Sequence, residues 1–288
     1  MATKTILVTG CSAGGLGATM ALALARRAHH VFATARTVSK IPAELSALSN
    51  VTVLALDTTS AESVAAAAAE VEAASGRGLD VLVNKAGVGY TIPVLDVDIV
   101  TARHLFDVNV FGVVRTVQGF AELLIRNKGR IVNMSTNGTV VNTPWMASYT
   151  ASKCALTSFS ETMRLELEPF GVTVVAIMAG TVNTHFRANE PHFELPAGSR
   201  YAAIRDIIAG WASGQLKPPG ISAEEYVEAI VGDIVGPGGG GLVWNGPYSG
   251  TIRFMAQWVP QWCNDAILRR MNLGFKELGE HLSEAGQK

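Results

Sequence analysis

Tyr149 and Lys153 are the residues of this chain whose types and spacing most clearly suggest chemistry. They bracket the segment Tyr149-Thr-Ala-Ser-Lys153, so on a helix the phenol and the ammonium share one face. A cation beside a phenol favours the phenolate, and we expect Lys153 to lower the pKa of Tyr149 from its ordinary value of about 10. Such a tyrosine can give or take a proton at a carbonyl or alcohol oxygen.

A glycine-rich turn near the N-terminus is the second chemical feature. The segment Thr9-Gly-Cys-Ser-Ala-Gly-Gly-Leu-Gly17 follows an apolar run and opens an Ala/Leu-rich one, which is the order strand, turn and helix. Glycines in this place let a pyrophosphate approach the free N–H groups of a helix N-terminus. A dinucleotide at this turn and a proton donor at Tyr149 together predict hydride transfer.

The end of the second predicted strand indicates which dinucleotide binds. NAD sites usually place an acidic residue there to bind the ribose 2′-hydroxyl, whereas this chain has Ala35 followed by Arg36. An arginine without a carboxylate suits a 2′-phosphate, which favours NADP(H). The alternative is that Arg36 is a solvated surface charge.

The elements that position these residues follow an alternating pattern. Short β-branched runs alternate with longer Ala/Leu-rich runs over the first two-thirds of the chain, as in βαβ units around a parallel sheet. We predict strands at Thr5–Thr9, Val31–Ala35, Val51–Leu56, Val81–Asn84, Arg130–Met134, Thr173–Ile177 and Leu242–Trp244. The predicted helices include Gly15–Arg27, Ser60–Ala74, Thr101–Arg126 and one that begins at Ser222.

Two segments depart from this alternation. Residues 185–221 mix prolines and glycines with a short apolar helix, Tyr201–Trp211, and an insertion of this kind is typical of a binding lid. The C-terminal aromatic tail, residues 252–275, mixes tryptophan, phenylalanine and arginine. We expect the tail to close the core and the substrate pocket, with a membrane-surface face as the alternative.

Composition sets limits on the function. The chain has 288 residues, of which 48% are hydrophobic, and its net charge of −1 is dispersed, which argues against a nucleic-acid partner. Three well-separated cysteines indicate reduced thiols, and the histidines show no metal-ligand spacing. Without a leader or an uncharged apolar run of about 18 residues, we expect a soluble cytoplasmic protein, with the lipid-droplet or endoplasmic-reticulum surface as the alternative location.

These features together resemble the short-chain dehydrogenase/reductase family over essentially the whole chain. Further signs are Asp57 after the third strand, Asn84-Lys-Ala-Gly87, Asn109 in Asp-Val-Asn-Val-Phe-Gly, and Ala179-Gly-Thr-Val-Asn-Thr184. The resemblance implies one Rossmann-like, doubly wound α/β domain over residues 1–288, with a seven-stranded parallel sheet and a helical substrate lid, assembled as a homodimer or homotetramer. A narrower resemblance, to fungal NADPH-dependent 1-acyldihydroxyacetone-phosphate reductases, rests on Phe193-Glu-Leu-Pro-x-x-Ser-x-Tyr201 and Ser222-x-Glu-Glu-Tyr226.

The resemblance also implies a set of NADP(H)-binding residues. Asp57 would contact the adenine, Asn84 the adenosine side, and Val182 and Thr184 the nicotinamide carboxamide. The full set implied is Gly10, Ser12, Gly14, Gly15, Leu16, Gly17, Arg36, Asp57, Asn84, Ala86, Gly87, Tyr149, Lys153, Gly180, Val182 and Thr184.

The catalytic roles come from the same resemblance. Tyr149 would protonate the substrate oxygen, Lys153 would bind the nicotinamide ribose, and Asn109 would anchor a water that links Lys153 to solvent. The family's catalytic serine should lie thirteen residues before the tyrosine, which gives Thr136; a slip of one residue gives Ser135 instead. Both hydroxyls remain candidates for the group that polarises the carbonyl.

Two further positions depart from the family pattern. Lys85 stands where a second asparagine is usual, and it either steadies a phosphate or extends to solvent. Ala179 replaces the usual proline, which loosens the backbone there. The resulting hypothesis is an NADPH-dependent carbonyl reductase acting on a small lipophilic ketone, either an acyl-dihydroxyacetone-phosphate-like lipid or a secondary metabolite. The alternative is a non-redox relative that dehydrates, isomerises or cyclises a secondary metabolite, or a cofactor-binding sensor.

Overall fold

Seven parallel strands form the central sheet of this protein. The computed structural model describes residues 2–285, except for the side chains of Ala188 and Asn189. The strands of the sheet are β1 (Thr5–Val8), β2 (His30–Ala35), β3 (Val51–Ala55), β4 (Val81–Asn84), β5 (Arg130–Thr136), β6 (Thr173–Ala179) and β9 (Gly241–Asn245). Their order across the sheet is β3-β2-β1-β4-β5-β6-β9, so the winding direction reverses between β1 and β4. A ligand site is expected outside the carboxyl ends of the strands at such a reversal.

Helices cover both faces of the sheet. They are α1 (Leu16–Arg26), α2 (Ala43–Ser46), α3 (Ala61–Ser75), α4 (Ile99–Phe106), α5 (Gly112–Arg126), α6 (Ala147–Leu167), α7 (Arg205–Ser213), α8 (Ala223–Val235), α9 (Ser249–Trp258), α10 (Gln261–Leu268) and α11 (Phe275–Ala285). The predicted helix over residues 101–126 consists of the end of α4, a π-helical turn at Asp107–Phe111, and α5. The prediction of a single α/β domain with seven parallel strands is confirmed.

Alternation along the central strands divides the core into two layers. Ile6 and Val8 of β1 face one cluster, which includes Met20 of α1 and Ile230 of α8. Leu7, between them, faces the opposite cluster, built mainly from α3, α5 and α6. Because both faces of the sheet are covered, β1 and β4 are buried at every residue.

The predicted lid and tail pack on each other through a third apolar cluster. This lid cluster consists of Trp145, Ile204, Ile208, Trp211 and Leu273. The predicted lid helix is a 3₁₀ turn at Ala202–Ile204 followed by α7, and two short strands, β7 (Val182–Asn183) and β8 (Ile221–Ser222), join the two ends of the lid segment.

The tail has an inner and an outer face. Ile252 and Met255 of α9 line a cavity, whereas Phe254, Trp258 and Trp262 are exposed at 60%, 74% and 72%. The tail therefore contributes to the wall of the cavity, as expected, and also presents an aromatic outer surface.

One helical run combines length with apolar character. The run Ile99–Arg126 is long and apolar enough to cross a membrane by those two criteria, and 56% of its apolar window is buried inside the fold. Within residues 2–285, no group of three or more His, Cys, Asp or Glu side chains is placed to hold a metal ion.

Candidate active site

The Thr9 side chain links the glycine-rich turn after β1 to the loop after β4, at the point where the winding direction of the sheet reverses. Its hydroxyl accepts hydrogen bonds from the N–H groups of Lys85 and Ala86, both at 2.9 Å. The chain then turns through Gly10 and Gly14 at φ values of +76° and +71°, a region that side chains other than glycine rarely adopt. The glycine-rich turn is thus held directly against the loop that follows β4.

The turn leaves the N-terminus of α1 open to an anion. The helix begins after Gly15, without a side-chain cap and without an acidic residue in its first turn. A Cβ atom on Gly17 would clash with the Gly10 carbonyl oxygen, and one on Gly10 would lie 2.9 Å from the Ala86 Cα. The glycines therefore permit close backbone approach, and the free N–H groups fit a pyrophosphate.

A groove of about 630 Å³ runs along this turn. We call it the glycine-turn groove. Of the residues that the family resemblance implies for the cofactor, it is lined by Gly10, Ser12, Gly15, Arg36, Asp57, Ala86 and Gly87. It is also lined by residues outside that set, including Thr37, Ser39, Lys40, Lys85, Val88, His185 and Phe186.

The far end of the glycine-turn groove is basic. Arg36 and Lys40 are both exposed there. Burial would raise the pKa of Asp57, but hydrogen bonds from the hydroxyl and N–H of Thr59, together with the charge of Arg36, hold that pKa below its usual range. Sequence reasoning missed Lys40; the signal was a second cation four residues after Arg36, in the loop after β2.

Several of the implied cofactor residues lie outside the glycine-turn groove. The Asn84 amide is buried between strands, donates to the Asn133 side chain at 2.9 Å, and does not line the groove. Leu16 and Gly17 are buried beneath the turn, and Gly14 is covered by the ring of His185. The N–H of Gly180 donates to Asn245 at 2.8 Å.

A second space, the apolar cavity, has a volume of about 600 Å³. Tyr149 and Thr136 lie in its wall with Val182 and Thr184, and α7, α9 and α10 supply part of the rest. Phe186 lines both this cavity and the glycine-turn groove. Its ring centroid is 5.6 Å from that of Tyr149, so Tyr149 lies close to the place where the two spaces adjoin.

The electrostatics of Tyr149 differ from the sequence-based expectation. Burial raises the pKa of Tyr149, and the Glu190 carboxylate adds to this effect, opposed by Arg187. The expected lowering by Lys153 was wrong, because the Lys153 ammonium donates instead to the Met134 carbonyl at 2.9 Å. Tyr149 therefore keeps its proton at neutral pH, which suits a proton donor better than a base.

The charged form of Lys153 is destabilised as well. Burial, followed by the charge of Lys85, lowers the pKa of Lys153 to about 8. A Cβ atom on Gly87 would lie 3.6 Å from the Lys153 Nζ and 3.0 Å from the Asn109 Oδ1. The ammonium and the Asn109 amide therefore meet beside the loop that lines the glycine-turn groove.

Asn109 connects three parts of the site. It lies in the π-helical turn, exchanges two 2.9 Å hydrogen bonds with the Val88 backbone, and donates to the Ser152 hydroxyl at 3.0 Å. Such π-helical turns occur often at functional sites. Here the amide fixes the loop after β4 against α6, the helix that carries Tyr149 and Lys153.

The structure places the two candidate hydroxyls on opposite sides of β5. Thr136 lines the apolar cavity with Tyr149, and its hydroxyl accepts from the Gly138 N–H at 3.1 Å. Ser135 is 5% exposed and its hydroxyl lies 2.7 Å from that of Thr157 on α6. Strand alternation therefore turns Ser135 away from the cavity.

A buried acidic residue of the lid was missed by sequence reasoning. The Glu190 side chain is 5% exposed, lies 3.6 Å from the Arg187 guanidinium, and accepts from the Thr91 hydroxyl at 2.9 Å. Arg187 also donates to Thr91 at 3.2 Å. This cluster fastens the start of the lid to the loop after β4, and no spacing in the sequence indicated it.

Comparisons with known proteins identify the family. The family model described as short chain dehydrogenase matches residues 4–194. A short-chain dehydrogenase of Penicillium ochrochloron, ptmH, is 41% identical over 276 residues, which cover 94% of this chain and 98% of the relative. An NADPH-dependent 1-acyldihydroxyacetone phosphate reductase of Schizosaccharomyces pombe is 36% identical, over 82% of this chain and 80% of the relative.

A solved structure shows the same fold with a dinucleotide. The crystal structure of a short chain dehydrogenase from Burkholderia cenocepacia in complex with NADP has a TM-score of 0.72 and 27% sequence identity, covering 92% of this chain and 97% of that chain. The extent of the family match and the identity to full-length relatives lead to one conclusion. This chain belongs to the short chain dehydrogenase family.

Proposed function

We propose that this protein is an NADP(H)-dependent carbonyl reductase that converts a ketone on a lipophilic substrate to an alcohol. The observation that carries the proposal is the position of Tyr149. A protonated phenol lies in the wall of the apolar cavity, beside the Phe186 ring, which lines both this cavity and the glycine-turn groove. A hydride donor in the groove and a proton donor in the cavity could then act on one carbonyl group.

The side chains of the site have different roles in the reduction. The dinucleotide, when bound, supplies the hydride. Tyr149 donates its proton to the substrate oxygen, and the Thr136 hydroxyl donates a hydrogen bond to the same oxygen as negative charge develops there. Lys153, while charged, stabilises the phenolate that Tyr149 becomes. The rings of Phe186 and Trp211 in the cavity wall exclude water.

The apolar cavity favours a lipophilic ketone that carries an anionic group. Apolar residues such as Val140, Met146 and Met255 form much of its wall. Arg187 and Lys217 lie in the same wall, and the Lys217 ammonium contacts an amide, Asn183 Oδ1 at 2.9 Å, rather than a carboxylate. An acyl-dihydroxyacetone-phosphate-like lipid combines these properties, and so does a secondary metabolite with an acidic group.

The proposal also includes an oligomeric state and a cellular location. Exposed apolar side chains on or beside α5 and α6, namely Phe111, Phe159 and Leu165 at 53%, 41% and 59%, favour a homodimer or homotetramer through these helices. We expect a cytoplasmic protein. The aromatic outer face of the tail favours peripheral contact with a lipid droplet or the endoplasmic reticulum as the alternative.

Titration with NADPH and NADH, followed by assays of NADPH oxidation, tests the proposal. We expect tighter binding of NADPH than of NADH, and oxidation with a panel of lipophilic ketones that includes an acyl-dihydroxyacetone phosphate. Tight binding without oxidation on any ketone would favour a non-redox reaction or a sensor. Absence of binding by either nucleotide would contradict the interpretation of the glycine-rich turn.

Replacement of Arg36 tests the choice between the two nucleotides. Arg36→Ala is expected to weaken NADPH binding by roughly tenfold, because a charged hydrogen bond to a phosphate is lost at an exposed site. NADH affinity should stay within about twofold, since NADH has no 2′-phosphate for an arginine to bind. Isothermal titration of both nucleotides measures the difference, with Arg270→Ala in the exposed tail as the matched control. Equal losses of affinity for both nucleotides would mean that Arg36 does not bind the 2′-phosphate.

The pH profile of reduction should follow Lys153 rather than Tyr149. Because the pKa of Lys153 is lowered to about 8, kcat/KM for ketone reduction is expected to fall as the pH rises through that value. The pKa of Tyr149 is raised, so loss of its proton cannot cause this decline. Lys153→Arg keeps the charge and should remove the decline near pH 8. A wild-type profile that stays flat to about pH 10 would contradict the assignment.

A further inference from the structure

Lys85 directs a positive charge at the start of α1. It follows β4 at the carboxyl edge of the sheet, and its backbone is held by the hydrogen bond to Thr9. Its side chain lines the glycine-turn groove beside Gly10 and Gly15. A Cβ atom on Gly15 would lie 3.6 Å from the Lys85 Nζ, so the ammonium lies next to the residue at the N-cap of the helix.

This ammonium has no counter-ion in the described part of the chain. None of the ion pairs within residues 2–285 includes Lys85. Burial lowers the pKa of Lys85, as expected for a cation withdrawn from water. Its ionisable neighbours are Cys11 and Lys153. Burial raises the pKa of Cys11 to about 12, so that thiol stays neutral and does not compensate the charge.

The helix beside Lys85 has donors that are also without side-chain partners. α1 is 11 residues long and has neither a side-chain cap nor an acidic residue in its first turn. Its first N–H groups and the Lys85 ammonium converge on one end of the glycine-turn groove. Two independent features, a helix N-terminus and a largely buried unpaired cation, therefore favour an anion at the same place.

We propose that the Lys85 ammonium, together with the N-terminus of α1, binds the pyrophosphate of the dinucleotide. This inference rests on the proposed function for the identity of the ligand. Arg36 and Lys40, at the far end of the groove, would bind the 2′-phosphate, and Lys85 would bind the central phosphates. An asparagine at this position could donate a hydrogen bond but would supply no charge, so this chain holds the pyrophosphate more tightly than an asparagine would allow.

Two nucleotide fragments distinguish the role of Lys85 from that of Arg36 and Lys40 at the far end of the groove. Adenosine 2′-monophosphate carries the 2′-phosphate alone, whereas 2′-phospho-ADP-ribose carries both the 2′-phosphate and the pyrophosphate. Isothermal titration should show that Lys85→Met weakens binding of 2′-phospho-ADP-ribose by about tenfold or more. Adenosine 2′-monophosphate should bind this variant within about twofold of wild type. Arg36→Ala should weaken both ligands, and Lys85→Arg should restore most of the lost affinity.

Unchanged binding of 2′-phospho-ADP-ribose by Lys85→Met would overturn the inference, because Lys85 would then extend to solvent. Failure of the wild-type protein to bind either fragment would instead overturn the proposed function. If Lys85→Met does not melt cooperatively, Lys85→Gln provides a polar, uncharged replacement. Acetic anhydride labelling of the wild-type protein needs no variant: 2′-phospho-ADP-ribose should protect Lys85 and adenosine 2′-monophosphate should not, and equal labelling with both would also overturn the inference.

Discussion

Tyr149→Phe is expected to lower kcat for ketone reduction by about 100- to 10,000-fold while leaving NADPH affinity unchanged. The substitution removes only the hydroxyl, and the ring can keep its contact with Phe186 at 5.6 Å between centroids. The lost rate reflects the missing proton donor, because without it the developing alkoxide must take a proton from water. Single-turnover oxidation of NADPH with a saturating ketone measures the change.

The matched control for this prediction is Tyr201→Phe. Tyr201 packs edge-on against Trp145 at 5.5 Å and lies in the lid rather than in the wall that carries Tyr149. Its loss of a hydroxyl should change kcat by less than about twofold and should not lower the melting temperature. Full activity in Tyr149→Phe would show that another group donates the proton, and the assignment of Tyr149 as the acid would have to be abandoned.

Thr136→Val is expected to lower kcat/KM by about 100- to 1,000-fold, the range measured for loss of one donor to a developing oxyanion. Valine keeps the shape of threonine but removes the hydroxyl that faces the apolar cavity. Thr136→Ser should retain most of the activity because its hydroxyl occupies the same position. Steady-state kinetics with one ketone compare the three proteins.

Ser135→Ala is the comparison variant, and we expect it to lower stability rather than activity. Because the Ser135 hydroxyl is buried against Thr157 at 2.7 Å, its removal should cost about 1 kcal/mol of unfolding free energy. Its kcat/KM should remain within about twofold of wild type, since the hydroxyl does not line the apolar cavity. Denaturant unfolding and the same kinetic assay distinguish the two residues. A large kinetic loss in Ser135→Ala with none in Thr136→Val would reverse the assignment.

The strands and helices were largely predictable because their signals are local. β1, β4 and β6 are apolar runs that helices cover on both faces, and their bounds differ from the predictions by at most a few residues. The helices that begin after Ser60 and Ser222 were predictable because each serine hydroxyl caps its own helix. The two hydroxyls accept hydrogen bonds from the backbone N–H groups of Ser63 and Glu225 respectively. The π-helical turn at Asp107–Phe111 was not predicted, and the partners of its Asn109 side chain lie on α6 and in the loop after β4, far from it in the chain.

The candidate site was predictable in its residue types and less so in its electrostatics. The spacing of Tyr149 and Lys153 predicted that both lie on one face of a helix, but it did not reveal that a carbonyl on β5 accepts from the ammonium while Glu190 of the lid lies near the phenol. Those neighbours come from segments far apart in the chain. Burial by such segments, followed by the charge of Glu190, raises the pKa of Tyr149, where the local pair alone predicts a decrease.

The amino-acid order alone specified the alternation of strands and helices, the glycine-rich turn and the four-residue spacing of the phenol and the ammonium, since each depends on neighbouring residues. Tertiary packing decided which hydroxyl of β5 faces the apolar cavity, and it brought the unpaired Lys85 ammonium to the start of α1. Charge and burial act through space, so residues distant in the chain set the proton affinity of Tyr149 and Lys153.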